Sequence, residues 1–288
     1  MRNIIIKAGR LTLTFFVKLL KLRGAHLDNY IFAFLMTLGA GLSTGIGSLL
    51  ALFAKNSKNT RFLSLALGFS AGVMIYVSMI EIFQKAKNTL CTAMGDKEGL
   101  FVTMSAFFGG MLMLALIDRF IPCKDAPDEI ACLKKVVKGN LFRTGIFTAI
   151  AIGIHNLPEG LATFLTALKE PTLATPVVVA IAIHNIPEGI SVSIPIYYAT
   201  KSKRKAFFYS FLSGVTEPLG ALIGYMILLP IMGDTVFGIM FALVSGIMVY
   251  ISIDALLPTA HQYGEHSLSV KGAVMGMAVM ALSLWLFV

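Results

Sequence analysis

Two short polar segments of nearly identical sequence carry the residues with the clearest chemistry. HNLPEG occupies residues 155–160 and HNIPEG occupies residues 184–189, each within an otherwise apolar stretch. Each segment offers an imidazole, an amide and a carboxylate at the same spacing. This mixed nitrogen and oxygen set suits borderline divalent cations such as Zn²⁺, Fe²⁺, Mn²⁺ or Co²⁺. The repeat therefore predicts one divalent-metal site built from two copies of the motif.

On an α-helix, the polar residues of each motif lie on one face. At about 100° per residue, Glu159 lies about 40° around the helix from His155, and Asn156 lies about 100° from it. The second motif repeats this arrangement with His184, Asn185 and Glu188. We therefore predict that two helices turn these faces towards each other around the metal ion.

The elements that position these motifs are predicted to be membrane-spanning helices. Hydrophobic residues make up 57% of the sequence and charged residues 14%, well below the roughly 25% charged residues of a soluble domain. Crossing a bilayer takes roughly 17–25 apolar residues. Segments of that kind occupy residues 30–54, 62–80, 100–117, 144–168, 172–200, 206–233, 235–261 and 272–288. We predict an all-α, polytopic membrane domain of eight spans over residues 30–288, which excludes a soluble enzyme.

A proline accompanies each histidine–glutamate pair. Pro158 and Pro187 have no amide hydrogen to donate within their helices, so we predict that the fourth and fifth spans kink beside the metal ligands. Glu217 precedes Pro218 in the sixth span and adds a third carboxylate. Because ionisable groups at membrane depth are costly and mark functional sites, Glu217 is predicted to join the same site.

The distribution of Lys and Arg predicts the orientation of the spans. The loops after the first, third, fifth and seventh spans hold more of these residues than the other loops. This places that set, including the loop over residues 119–143, in the cytoplasm and both termini outside. Residues 1–29 are predicted to form a basic amphipathic segment on the membrane surface. The net charge of +9 then indicates contact with anionic lipid, not with nucleic acid.

Other functions are compatible with a buried metal site. An intramembrane metalloprotease typically carries H-E-x-x-H, in which the glutamate acts as general base. Here an asparagine follows each histidine and the glutamate falls four residues later, in a ligand position, which leaves no base and disfavours this function. A metal exporter or a metal-sensing receptor stays possible, because the sequence does not set the direction of flux.

The chain also resembles a known family. The stretches GFSAGVMIYVSMIEIF (68–83), AIAIHNIPEGISVSIPIYYAT (180–200) and DALLPTAHQYGEH (254–266) are similar to the bacterial ZupT-type zinc-uptake branch of the ZIP (Zrt/Irt-like) metal-ion transporters. The paired motifs, the eight spans, the outward termini and the loop after the third span, which is variable in that family, fit this resemblance.

The resemblance implies both a function and a set of ligands. It implies uptake of Zn²⁺, with Fe²⁺, Mn²⁺, Co²⁺ and Cd²⁺ as further substrates, across the cytoplasmic (inner) membrane. It also implies a homodimer without a catalytic cofactor, and an elevator-like motion of spans 1, 4, 5 and 6 past spans 2, 3, 7 and 8. The implied metal ligands are His155, Asn156, Glu159, His184, Asn185, Glu188, Glu217 and the second-span thioether Met74. Some members place an aspartate where this chain has Asn185, and a neutral amide binds a dication more weakly.

Overall fold

A computed structural model describes most of the chain. The described residues are 27–53, 60–120, 129–169, 171–228, 233–263 and 265–287. The predicted amphipathic segment over residues 1–29 falls almost entirely outside them, as does part of the predicted cytoplasmic loop. The described part of the chain is helical and contains no β-strand, which confirms the predicted all-α class.

The first four helices follow the order of the predicted spans. Helix α1 is Leu27–Phe53, α3 is Asp96–Phe120 and α4 is Glu129–Lys169. Helix α2 is continuous from Thr60–Val77 through a π-helical turn, Ser78–Ile82, to Phe83–Met94. Because α4 begins at Glu129, the second half of the predicted loop over residues 119–143 is helical.

The last four helices complete the bundle. Helix α5 is Pro171–Thr200, and α6 is Lys203–Ile223 extended by the π-helical turn Gly224–Leu228. Helix α7 runs through Asp234–Ile251, the π-helical turn Ser252–Leu256 and Leu257–Tyr263, and α8 is His266–Phe287. Between α5 and α6, Lys201 takes a positive φ of 56°, and the Ser202 hydroxyl caps α6 by accepting from the Lys205 amide. A tight turn therefore joins these two helices.

Among the described residues, seven helices are long and apolar enough to cross a membrane. The exception among the eight predicted spans is residues 144–168, which belong to α4. Its polar motif residues, His155, Asn156 and Glu159, lower the mean hydropathy of that segment. Helix α4 nevertheless packs directly against α5 and α6, both of which are candidate spans. His155 and Asn156 are thus covered by protein, and Glu159 borders a cavity inside the protein, as a membrane helix requires.

The helices pack in two groups. Helices α1, α4, α5 and α6 pack extensively on one another, and we call them the site bundle. Helices α2, α3, α7 and α8 likewise pack mainly on one another, and we call them the frame bundle. The two bundles meet where α2 and α8 pack on α5 and where α4 packs on α7. This grouping is the same division of spans that the family resemblance implies.

Glycines hold the helices close together inside each bundle. A Cβ added to Gly47 of α1 would lie 1.9 Å from the carbonyl oxygen of Ile186 in α5, far inside van der Waals contact. In the frame bundle, a Cβ on Gly72 of α2 would lie 2.0 Å from the carbonyl oxygen of Ala273 in α8. Every described glycine whose added Cβ would meet another helix meets one of its own bundle. The closest backbone packing is therefore internal to each bundle.

A few polar contacts join the bundles. The Ser70 hydroxyl of α2 donates to the Pro187 carbonyl of α5 at 2.7 Å. The Arg143 guanidinium at the start of the fourth span pairs with the Asp118 carboxylate near the end of α3 at 2.8 Å. The hydroxyl oxygens of Thr144 in α4 and Thr259 in α7 are 3.4 Å apart and form another contact of this kind.

Candidate metal site

The two repeated motifs meet in the interior of the site bundle. His155 Nε2 of α4 lies 2.9 Å from Glu188 Oε1 of α5 in hydrogen-bond geometry. His184 Nε2 of α5 lies 2.7 Å from Glu159 Oε1 of α4 as an ion-pair contact whose angle does not suit a hydrogen bond. His155, His184 and Glu188 are buried, and the Glu159 side chain is 14% exposed. The predicted facing of the two motifs is thus observed.

The direction of the two helices explains why each histidine meets the other motif's glutamate. Helix α4 ends at Lys169 and α5 begins at Pro171, so these packed helices are antiparallel. In each motif the glutamate follows the histidine by four residues, about one helical turn. Reversing one helix against the other therefore aligns unlike residues, which gives two complementary imidazole–carboxylate pairs.

The two amides of the motifs bind helices α1 and α6. Asn185 Nδ2 donates to Glu217 Oε2 at 2.8 Å and to the Ala40 carbonyl at 3.1 Å. Asn156 Nδ2 donates to the Ser213 carbonyl at 3.1 Å. Because both amide nitrogens donate to protein acceptors, both amide oxygens point away from those bonds. The contact with Asn185 also brings Glu217 to the same cluster, as the sequence predicted.

Several buried acceptors of this cluster have no hydrogen-bond partner among the described residues. They are Asn156 Oδ1, Asn185 Oδ1, Glu188 Oε2 and Glu217 Oε1, and all four residues are 0% exposed. Buried acceptors are normally satisfied by a donor, water or an ion. Four unsatisfied oxygens, two from carboxylates and two from amides, form a set that a cation complements.

The described residues contain no group of three His, Cys, Asp or Glu side chains that converges as a ready metal centre. In this structure the imidazoles and carboxylates contact each other in pairs. Their role as metal ligands therefore stays a prediction for His155, Glu159, His184 and Glu188.

Met74 lies in a different environment. It is fully buried in an apolar cluster that also contains Ala71, Ile247 and Met248, and the hydroxyl of Ser78 donates to its backbone carbonyl. These contacts are those of a core side chain in the frame bundle. Its predicted role as a sulfur ligand is not tested by them and stays a prediction.

Some residues that shape the cluster carry no signal in the sequence. Ala40 and Ser213 take part through backbone carbonyls, and side-chain chemistry does not reveal such a role. Ser210 donates to the carbonyls of Thr44 and Gly189 and links three helices of the site bundle. The crossed histidine–glutamate pairs could have been predicted from the sequence. The two consecutive helices α4 and α5 run antiparallel, and each motif has the same spacing between histidine and glutamate.

A cavity of about 60 Å³ borders the cluster on the side of Glu159. Its charged lining residues are Glu81 and Lys85 of α2 and Glu159 of α4. Phe241 and Val244 of α7 also line the cavity. The cavity thus lies between the bundles and gives access to one carboxylate of the crossed pairs.

Comparison with known proteins gives the relationships of the chain. Residues 124–284 match the family described as ZIP Zinc transporter. The chain is 54% identical over 283 residues to the Zinc transporter ZupT of Clostridium perfringens, covering 92% of this chain and 99% of that protein. It is 57% identical over 258 residues to the Zinc transporter ZupT of Streptococcus mutans, covering 89% and 97%. It is also 54% identical over 267 residues to the Zinc transporter ZupT of Oceanobacillus iheyensis, covering 90% and 99%.

These matches cover both motifs and nearly all of the described helices. The family resemblance seen in the sequence is confirmed, and the multi-pass helical architecture agrees with it. The chain belongs to the ZIP zinc transporter family.

Proposed function

We propose that this protein takes up Zn²⁺ across the cytoplasmic membrane through the cluster at the centre of the site bundle. The observation that carries the proposal is the set of buried carboxylate and amide oxygens that lack a donor in the described part of the chain, next to two crossed imidazole–carboxylate pairs. A dication that enters would bind these oxygens and replace contacts within the pairs. The proposed ligands are His155, Asn156, Glu159, His184, Asn185, Glu188 and Glu217, with Met74 as an additional sulfur ligand.

The relatives support zinc as the substrate. The three similar proteins described above are named zinc transporters, and imidazole and carboxylate ligands suit Zn²⁺. The same mixed set accepts Fe²⁺, Mn²⁺, Co²⁺ and Cd²⁺, which we propose as further substrates. The ion is cargo in this role, and no catalytic cofactor is needed.

We infer that the site alternates between the two faces of the membrane by motion of the site bundle against the frame bundle. Close glycine contacts tie helices together within each bundle, as at Gly160 against the backbone of Glu217. The contacts between bundles are sparser. A rigid site bundle keeps its ligands in one arrangement while it moves, which is the requirement for carrying an ion.

Orientation and assembly complete the proposal. The asymmetry of Lys and Arg between loops supports outward termini, with the cavity beside Glu159 on the outer side. Among the candidate spans of the described residues, helix α3 is the least buried. Its exposed apolar side chains include Phe101, Phe108 and Leu112. We propose that this face contacts a second copy of the chain in a homodimer.

The deciding experiment is transport in proteoliposomes that contain the purified full-length protein. We expect external Zn²⁺ to enter protein-containing liposomes faster than empty ones, with competition by Fe²⁺, Mn²⁺, Co²⁺ and Cd²⁺. Preloaded vesicles of known protein orientation separate the directions of flux. If Zn²⁺ leaves preloaded vesicles through correctly oriented protein but does not enter empty ones, the protein is an exporter. Saturable Zn²⁺ binding without transport would indicate a metal-sensing receptor.

A further inference from the structure

The cavity beside Glu159 contains charges of opposite sign. Glu81 and Glu159 contribute carboxylates, and Lys85 contributes an ammonium group. The carboxylates attract a dication that enters the cavity, whereas the ammonium repels it. The Lys85 ammonium group cannot bind a metal ion. Its effect on a dication that enters the cavity is therefore repulsion.

The Lys85 side chain lies against an aromatic ring of the neighbouring helix α7. Its Nζ lies 5.1 Å from the centroid of the Phe241 ring of α7, within the range of a cation–π interaction. Lys85 belongs to α2, so this contact joins two helices of the frame bundle. Among the ion pairs of the described residues, none includes Lys85. Its charge is therefore left to act on the cavity.

Glu81 and Lys85 share one face of α2. They are four residues apart, a spacing that places side chains next to each other on a helix. Glu81 lies in the π-helical turn of α2, and Lys85 follows in the next turn. Both side chains are exposed to the cavity rather than packed in the core. An ion that approaches Glu159 by this route passes both charges.

We propose that Lys85 is a charge barrier that weakens the binding of incoming dications at this mouth and thereby sets the KM of uptake. The inference rests on the proposed uptake function. A transport pathway needs binding that is weak enough for the ion to move on. One positive charge in the same cavity as two carboxylates limits the trapping of a dication at the entrance. Glu81 has the opposite effect on the same ion.

The size of the effect follows from electrostatics. A unit charge within about 8 Å of a dication changes its binding by about fivefold even at a water-like dielectric constant. We therefore expect Lys85→Met to lower KM for Zn²⁺ by about fivefold at low ionic strength. Lys85→Arg keeps the charge and should keep the KM. The difference should shrink in about 0.5 M salt, where the Debye length is roughly 4 Å.

The test compares Zn²⁺ uptake by proteoliposomes that contain wild type, Lys85→Met, Lys85→Arg and Lys87→Met. Lys87 is the matched control, because it lies on the same helix and does not line the cavity. An equal KM for wild type and Lys85→Met would overturn the proposal. A KM for Lys85→Arg as low as that of Lys85→Met would also overturn the proposal, because Lys85→Arg keeps the positive charge.

A second measurement separates this inference from the proposed function. Equilibrium binding of Zn²⁺ to the purified proteins in detergent reports affinity without transport. Tighter binding by Lys85→Met together with no uptake by wild type would reject uptake and retain the charge barrier. Normal uptake by wild type together with unchanged affinity in Lys85→Met would retain the uptake function and reject the charge barrier. Glu81→Gln should weaken binding, and its monodisperse elution on size exclusion would verify folding.

Discussion

His155 Nε2 of α4 lies 2.9 Å from Glu188 Oε1 of α5, so the histidine of one motif contacts the glutamate of the other. The reverse pair, His184 and Glu159, is 2.7 Å apart. The metal site proposed above uses the same four side chains. If they bind the ion, both pairs must rearrange when it enters.

The first prediction concerns Glu188, one of two buried carboxylates in the cluster with an oxygen that has no partner among the described residues. Glu188→Ala removes Glu188 Oε1 and Oε2 and should reduce zinc uptake by more than about tenfold, since even residues that only support metal ligands contribute 10–100-fold. Uptake of radioactive zinc by cells and proteoliposomes measures the loss. His155→Ala, Glu159→Ala and His184→Ala should behave alike.

The control for this prediction is an exposed carboxylate. Glu98 lies in the first turn of α3, outside the cluster, and Glu98→Ala should transport normally. Each variant should reach the membrane and elute as a monodisperse protein in detergent. Normal zinc accumulation by Glu188→Ala would show that this residue is not a ligand.

The second prediction concerns the amide between α5 and α6. Asn185→Asp replaces a donor to Glu217 Oε2 with a carboxylate, so two negative charges would face each other without an ion. A dication relieves this repulsion, and we expect tighter metal binding and a changed order of preference among metals. Competition of the metal panel against zinc uptake measures this order. An unchanged order would argue that Asn185 does not contact the ion.

The third prediction tests the close packing of the site bundle. In Gly47→Ala the new Cβ would lie 1.9 Å from the Ile186 carbonyl oxygen, which the two backbones relieve only by separating. Overpacking of this kind costs about 1–3 kcal/mol, so the thermal stability in detergent should fall. Gly39→Ala is the matched control on α1, because nothing lies within 4 Å of its added Cβ. Equal melting temperatures for both variants would contradict the packing.

The fourth prediction tests the contact between bundles. Ser70→Ala removes the bond to the Pro187 carbonyl, whose net contribution is about 1 kcal/mol, and should lower the population of the conformation described above by up to about fivefold. The probe is a cysteine at Thr166, a cavity residue, introduced into a cysteine-free background. Labelling by a membrane-impermeant thiol reagent should slow in Ser70→Ala. Identical labelling would show that this bond does not bias the two states.

The fifth prediction tests the proposed homodimer. In a two-fold symmetric interface, residues near the axis contact their own copies. Phe108→Cys on α3, whose native side chain is 63% exposed, should form a covalent dimer in membranes under mild oxidation. Trp285→Cys on α8 is the control, because its native side chain is 74% exposed on another helix. Gel electrophoresis without reductant reads the result, and cross-linking of neither variant would argue against an interface at Phe108.

The sequence predicted the parts of the fold and site that depend on local pattern. Apolar runs predicted the spans, and the repeated motif predicted which faces of α4 and α5 meet. The sequence did not predict the helical stretch before residue 144, because its charges suggested a loop. It also did not predict the bonds of Asn185 to Ala40 and Glu217, since these depend on how α1 and α6 pack. Whether the prolines kink α4 and α5 stays a prediction.

The polar character of α4 has a consequence for biosynthesis. Residues 144–168 are less apolar than the seven helices whose length and composition suit a membrane span, and only residue 170 separates α4 from α5. Insertion of ionisable residues into lipid is unfavourable, whereas the crossed pairs shield them between the two helices. During synthesis, α4 and α5 should therefore enter the bilayer together as one helical hairpin. The residues of the site would then also assist each other's membrane insertion.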